Sequence, residues 1–314
     1  IDKYGADALR LSLVTGISPG NDMRFHWEKV EASRNFTNKI WNAARFILMN
    51  IEDADGEIQP IDMESLELPD RWIISKYNHL VEEVTENMEN FELGIAAQKI
   101  YDFTWNEFCD WYIELAKPRL YGDDDKDKQV AISTLIYVLS NTLKLLHPFM
   151  PFITEEIWQH MPVSEDSIMI SKWPIAKPDE IDKQAEEQME EIMDVIRAIR
   201  NIRAEMDVPM SRQANLYIVP KDGWGEIFIE GRVYFEKLAG IQEMIVEESA
   251  EDMAKNTATA VTSKAQIFMP LEDLIDFDRE RERLLAEKVK LEKEVARSQA
   301  KLGNVNFVEK APAH

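Results

Sequence analysis

Cysteine is nearly missing from this sequence: Cys109 is the only one in 314 residues. A single thiol forms no intramolecular disulfide and builds no thiolate zinc cluster, and such sparse use fits a reducing, cytoplasmic setting. No glycines fall in a phosphate-loop spacing. The five histidines show no metal-ligand spacing, and no Ser–His–Asp signal stands out. Nor is any apolar run read as long enough to cross a membrane. Positive charge is scarce: 36 Lys and Arg stand against 59 Asp and Glu, a formal net charge of −23. That excludes nonspecific nucleic-acid binding by the surface as a whole, so any such site must be a local patch. Ile1 is not a natural start and no leader-like segment precedes the first helical pattern, so the chain is expected to be a piece of something longer.

What is present is mostly helical pattern. Apolar residues recur at helical spacing over 2–15, 28–50, 69–90, 92–121 and 127–147. The acidic segment 51–68 reads as a linker or exposed loop. After Trp173 the composition changes. A helix over 180–206 is stopped by Pro209, and period-two runs follow at Ala214–Val219, Gln242–Glu247, Thr257–Thr262 and Gln266–Met269, with a helix near 223–239. From 274 to 302 Leu284, Leu291, Val295 and Leu302 form a coiled-coil seam, interrupted by Lys288 and Ser298. The fold class is therefore mainly α: an antiparallel helical bundle, then a small α+β module, then a coiled-coil helix. The expected divisions are a junction over 1–22, the bundle over 23–178, the module over 179–274 and a truncated coiled-coil arm over 275–314.

The segment LKLLHPFMPFITEEIWQHM (143–161) organises the bundle. Pro148 and Pro151 break the helical pattern, because neither ring donates an N–H and each restricts the residue before it. Thr154 is the expected N-cap of the next helix, with Glu155 and Glu156 in its first turn. His147 and His160 flank this corner and are read as packed or capping residues, not ligands.

Two stretches mix cations, amides and aromatics. In SRNFTNKIWNAARF (33–46), Arg34, Lys39 and Arg45 are interleaved with Asn35, Asn38, Asn42, Phe36, Trp41 and Phe46. From Lys29 to Asn50 four basic residues meet one acidic residue, Glu31, against the sign of the whole chain. In DFTWNEFCDWYIELAKPRL (102–120), aromatics adjoin Asp110, Glu114, Lys117 and Arg119. Single-stranded RNA is bound by stacking bases on aromatic or guanidinium planes and by bonding their edges. These residues suit that chemistry, and they equally suit a bundle core. Residue types alone leave both open, along with a third reading, an acidic helical scaffold that binds protein.

Taken in order, YGADALRLSL, RNFTNKIWNAARF, WNEFCDWYIELAKPRL and LLHPFMPFITEEIWQ resemble the C-terminal half of class I aminoacyl-tRNA synthetases of the valine, isoleucine and leucine subgroup. AIRNIRAEMDVP (198–209), IFMPLEDLID (267–276), the basic coiled-coil helix and NFVEKAPAH are similar to the valine branch. The isoleucine branch usually ends in a cysteine-rich zinc region, which one cysteine cannot supply. The same region of an isoleucyl or leucyl enzyme is the nearest alternative.

The resemblance implies a division of labour. The catalytic domain, with its H-I-G-H and K-M-S-K-S motifs, and the editing domain would lie upstream. There the intact enzyme would use ATP and Mg²⁺ to attach valine to tRNA(Val). This segment would carry no catalytic residue, cofactor or metal, and no obligate protein partner or membrane is indicated. By motif match the bundle is the anticodon-binding domain, and Arg45 and Phe46 meet the anticodon. The two residues after the Trp-Tyr of the aromatic helix, Ile113 and Glu114, are used as well. So is a residue just before the Trp that precedes the first bundle helix, here His26. Asn42 joins the expected set from the same helix as Arg45. The C-terminal helix would touch the outer corner of tRNA through Lys288, Lys290, Lys293, Arg297 and Lys301. Residues 279–314 are expected to be poorly ordered or held by a neighbour.

Overall fold

The computed structural model describes residues 1–16, 24–52, 61–249, 256–274 and 277–302. Contacts divide the chain into two units, Ile1–Ile192 and Met193–His314.

The first unit is helical. It contains α1 (Ala6–Val14), α2 (Trp27–Glu52), α3 (Leu68–Glu89), α4 (Leu93–Asp102), a π-helical stretch (Phe103–Tyr112), α5 (Ile113–Leu120), α6 (Asp125–Leu146), α7 (Pro151–Trp158) and the start of α8 (Lys183–Glu205). Along α2 the buried residues Val30, Phe36, Ile40, Ala44 and Ile47 keep the 3.6-residue period. A capping box between Glu67 and Asp70 opens α3, with Pro69 in its first turn. Asp124 caps α6 by accepting the N–H groups of Lys126 and Asp127. By length and composition α6 could cross a membrane, which corrects the reading that no run reaches that length. Most of its apolar window is buried against α2, α3 and α5, which makes it the central core helix.

The aromatic helix departs from the expected period. From Phe103 to Tyr112 it is wound i→i+5. Phe103, Phe108 and Ile113 are buried five residues apart, and so are Thr104 and Cys109. The stretch packs on α2, where Phe36 and Trp105 stack 6.4 Å apart and Phe36 meets Tyr101 at 4.5 Å. Most aromatics of this segment are therefore core. Cys109 is buried as well, and burial pushes its thiol up to about 12, so it stays an unreactive apolar group.

At the heart of the unit lies Asp70, a carboxylate with no exposure. Its Oδ1 accepts the Tyr112 hydroxyl at 2.6 Å and its Oδ2 accepts Arg119 Nη1 at 2.6 Å. The Arg119 Nε donates to Asp127 at 2.5 Å. Burial opposes the guanidinium charge, but Asp70, Tyr112 and Asp127 together outweigh it and raise the Arg119 pKa. One buried group thus ties the start of α3 to the end of the π-helical stretch, to α5 and to the start of α6.

The proline corner is braced from outside its own helices. Met150, not Thr154, occupies the N-cap of α7, and Pro151 opens the helix. Thr154 lies inside the helix, where its hydroxyl donates to the Met150 carbonyl at 2.8 Å. His147 Nδ1 lies 2.7 Å from that hydroxyl, and burial lowers the His147 pKa. The cap comes from α1: Asp7 accepts the Ile153 N–H at 2.7 Å and the Phe152 N–H at 3.4 Å. One turn later Arg10 donates to the carbonyls of Pro148 at 3.1 Å and Phe149 at 3.2 Å. Local spacing favoured Thr154, but the helix starts three residues earlier, and a carboxylate reaching in from a distant helix accepts its first N–H groups with full charge.

In the first unit, α8 packs its opening turns on α3. Ser75 donates to Glu186, His79 Nε2 lies 3.1 Å from Glu186, and Arg71 lies 3.3 Å from Asp182. Facing them from the π-helical stretch is Glu107, 3.7 Å from Lys76. Burial raises the Glu107 pKa to about 7 against the opposing pull of Lys76, and Glu190 and Glu186 add to the rise.

The second unit holds the rest of α8 and a sheet. Its elements are β1 (Ala214–Pro220), α9 (Gly225–Glu230), α10 (Arg232–Ala239), β2 (Ile241–Val246), β3 (Thr257–Val261), β4 (Ala265–Pro270), α11 (Leu271–Leu274) and α12 (Phe277–Leu302). The strand order is β2-β1-β4-β3. Strands β1 and β2 are parallel, so α9 and α10 form the crossover between them. The other pairs are antiparallel, with Tyr217 opposite Phe268. The helix expected near 223–239 is split at Gly231. Arg203 is buried and donates to the carbonyls of Pro209, at 2.9 Å, and Arg212, holding the loop before β1. Gly240 is left-handed beside it, and a Cβ there would lie 2.9 Å from the Met210 carbonyl. The described side chains of α12 are all exposed, among them the seam residues Leu284, Leu291 and Val295. Residues 303–314 lie outside the described residues, and so does the expectation of disorder or support for that end.

Two measurements test these packing arguments. Arg119→Met leaves Asp70 buried without its cation and is expected to destabilise the chain by ~3–5 kcal/mol in chemical denaturation; with Asp70→Asn added, the loss should be less than the sum of the two single losses. Glu107 binds a proton in the folded state up to about pH 7 but gives it up near 4.5 when unfolded. Its contribution to stability therefore falls as pH rises through that window. Glu107→Gln should raise the melting temperature at pH 8 more than at pH 5; an equal change at both would show that burial does not perturb this carboxyl.

Candidate nucleic-acid interface

The outer face of α2 carries Asn38, Trp41, Asn42, Arg45 and Met49, all exposed and spaced three or four residues apart. Phe46 lies at the edge of this face, half-buried. Across from it, α5 presents Glu114 and Lys117. Lys117 Nζ lies 2.5 Å from Glu114 Oε1 and 5.6 Å from the centroid of the Phe46 ring. The fold thus brings Phe46 and Glu114 together across one ammonium group. Both members of the ion pair are more than a third exposed, at 37% and 39%, so it contributes only about 0.5 kcal/mol.

Several features hold α5 in this orientation. Tyr112 and Arg119 bond Asp70 on either side of Glu114 and Lys117. Ile113 is 6% exposed and points into the core, so its side chain is not offered to a ligand. The five-residue recurrence from Phe103 and Phe108 turns it inward. Pro118 sits inside α5. It has no N–H, so the usual i−4 bond to the Glu114 carbonyl is missing. Glu114 therefore offers a carboxylate and a backbone oxygen lacking its normal helical donor.

The electrostatics of α2 are narrower than its sequence suggests. Lys29 donates to the Thr15 carbonyl. Arg34 pairs with Glu31 at 3.1 Å and lies over the Tyr4 ring. Lys39 pairs with Asp110 and sits 5.3 Å from the Trp105 centroid. Arg45 is the member of the set with no partner among the described residues. Asn42 lies one turn before it on the same face. His26 is exposed but stands ahead of the first turn of α2, about 28 Å along the helix from Arg45 at 1.5 Å per residue. Its neighbours are Phe25 and Trp27, whose rings meet edge to face at 5.0 Å. The structure therefore groups Arg45, Phe46, Asn42 and Glu114, and leaves His26 and the Ile113 side chain outside the group. Trp41, Asn38 and Met49 join the group by helical spacing from Arg45, a signal present in the sequence. The place of Lys117 between Phe46 and Glu114 has no such signal, because the two helices are distant in the chain.

On α12 the cations separate into two faces. Lys290, Lys293 and Arg297 follow one another at three and four residues and share a stripe, and position 301 continues its register. The Lys301 side chain lies outside the described residues. Lys288 belongs to the opposite, apolar side, beside Leu284, Leu291 and Val295, and lies 3.9 Å from Glu292. Among the described residues no cluster of three or more His, Cys, Asp or Glu is arranged to hold a metal.

Comparison with known proteins bears on this geometry. A family model described as "Anticodon-binding domain of tRNA ligase" matches residues 70–218. Another, described as "Valyl tRNA synthetase tRNA binding arm", matches residues 276–314. Relatives include a valine–tRNA ligase of Clostridium tetani, 52% identical over 99% of this chain and 35% of the relative. That of Clostridium acetobutylicum is 51% identical over 99% and 35%, and that of Bacillus subtilis 46% over 100% and 36%. The chain spans about a third of the length of the curated relatives it matches. These matches show that the chain is similar, over essentially its whole length, to one region of valine–tRNA ligases, and that parts of it match an anticodon-binding domain and a tRNA-binding arm.

Proposed function

We propose that this chain binds tRNA(Val) and reads its anticodon, as part of a longer enzyme that attaches valine to that tRNA with ATP and Mg²⁺. The observation that carries the reading is the convergence of Phe46, Glu114 and Arg45 on one exposed surface, in a chain with these matches. Valine codons begin with G and U, so the anticodons that pair with them end in A and C. Both bases carry an exocyclic amino group. The Glu114 carboxylate accepts one such amino group. Phe46 supplies a stacking plane. Arg45 pairs with phosphate or stacks on a base, and the Asn42 amide can bond an adenine edge.

The stripe of Lys290, Lys293, Arg297 and position 301 serves phosphate contacts along an RNA backbone. Lys288, on the apolar side, is not part of that stripe. No residue of this chain is assigned to ATP, Mg²⁺ or a chemical step; its part in the reaction is to select and position the RNA.

Titration of the chain with valine tRNA, and with a transcript altered at the last two anticodon bases, tests the reading. Preference for the unaltered transcript is expected, and equal affinity would overturn the anticodon assignment and favour a protein-binding scaffold. Glu114→Ala should cost the ~1–3 kcal/mol of a good base contact at one of those two positions only. Arg45→Ala should weaken all transcripts alike if it holds phosphate, and should make the dependence on salt less steep.

A further inference from the structure

Lys117 occupies the two groups that a base would need. Its ammonium lies over the Phe46 ring face, 5.6 Å from the centroid, and bonds the Glu114 carboxylate at 2.5 Å. A base that stacks on Phe46 and donates its amino group to Glu114 uses the same ring face and the same oxygens. The two occupants exclude each other. We propose that Lys117 is a stand-in for the anticodon base: in the free protein its ammonium fills the base position, and RNA binding displaces it onto the phosphate backbone. The inference rests on reading Phe46 and Glu114 as base-binding groups.

Three features favour the exchange. The Lys117–Glu114 pair is exposed and weak, so giving it up costs little beside the stacking and hydrogen bonding of the base that replaces it. The backbone that carries Lys117 is fixed, because Pro118 and the Arg119–Asp70 bond follow it directly. Only the four-carbon side chain has to move, and lysine binds phosphate as a mobile point charge. In the free chain the pair also neutralises Glu114, which would otherwise repel an approaching phosphate backbone in a protein that is already strongly acidic.

The experiment uses the whole chain with two RNA stem–loops, one bearing the valine anticodon and one altered in its last two bases. Affinities are measured over a range of salt for the unsubstituted protein, Lys117→Met and Lys117→Arg. Lys117→Met is expected to keep the preference between the two RNAs and to lose one phosphate's share of the salt slope, about 0.7–0.9. Lys117→Arg is expected to restore the slope. An unchanged slope in Lys117→Met, or loss of the base preference with it, overturns the proposal and makes Lys117 a fixed support for Glu114. Absence of any preference in the unsubstituted protein would instead remove the anticodon reading itself, and the stand-in role with it. A measurement free of substitutions gives a second test. The Lys117 ammonium lies over the Phe46 ring, so the adjoining ε-methylene protons should be shielded in the free protein and move on saturation with the valine stem–loop. Unchanged shifts at saturation would also overturn the proposal.

Discussion

The placement of every candidate RNA-binding group on α5 depends on one buried carboxylate. Asp70 has no contact with water, and an ionised group in that position is tolerated only when its charge and lone pairs are answered. Tyr112 and Arg119 answer them from either side of the turn that holds Glu114 and Lys117. Because both ends of that turn are pinned to α3, its tilt is set from below. Burial raises the Tyr112 pKa well above its ordinary value, with Asp70 adding to the effect, so the hydroxyl remains a donor. A fully buried group thereby fixes the angle at which two exposed side chains, Glu114 and Lys117, are presented.

A second brace works in the same way at the proline corner. The end of α6 leaves carbonyls without partners, and the start of α7 leaves N–H groups without partners. α1 serves the corner between them with opposite charges, Arg10 on the carbonyls of Pro148 and Phe149 and Asp7 on the first N–H groups of α7. The corner needs this help because Pro148 and Pro151 remove two backbone donors where two helices must change direction. The same α1 packs on α2, so the helix that carries Arg45 and the corner behind it share one support.

The proposed RNA surface lies on a strongly acidic chain, and it uses cations sparingly. Of the four basic residues between Lys29 and Asn50, three are tied to a carbonyl or a carboxylate, which leaves Arg45 as the free charge of that helix among the described residues. On the opposite side of the site, Lys117 masks Glu114. Among these groups one unpaired positive charge, Arg45, is therefore left in the free protein. That suits selective reading of bases better than tight, sequence-blind attraction to phosphate. The denser basic stripe belongs to α12, whose exposed cations suit phosphate contacts, which carry no base identity.

Local chemistry made much of this legible in the sequence. Helical periods, the proline corner, the β-rich runs and the basic coiled-coil helix are each written in a few neighbouring residues, and the sequence alone determined that the chain is a helical bundle followed by a small α+β module. Ordered motifs pointed to the family. Tertiary structure decided the rest. Thr154 is not the cap of α7, because the helix already begins at Pro151, where Asp7 from a distant helix accepts the first N–H groups. Ile113 turned inward because the aromatic helix is wound to a five-residue recurrence that the 3.6-residue period does not foresee. His26 fell about 28 Å from Arg45 because a straight helix separates them. Phe46, Lys117 and Glu114 came together only because α2 and α5 both pack on α6 and on the π-helical stretch. Periodicity reports which face of a helix is buried, but not which distant helix will lie against it, and that choice is made by the shape and charge of the whole core.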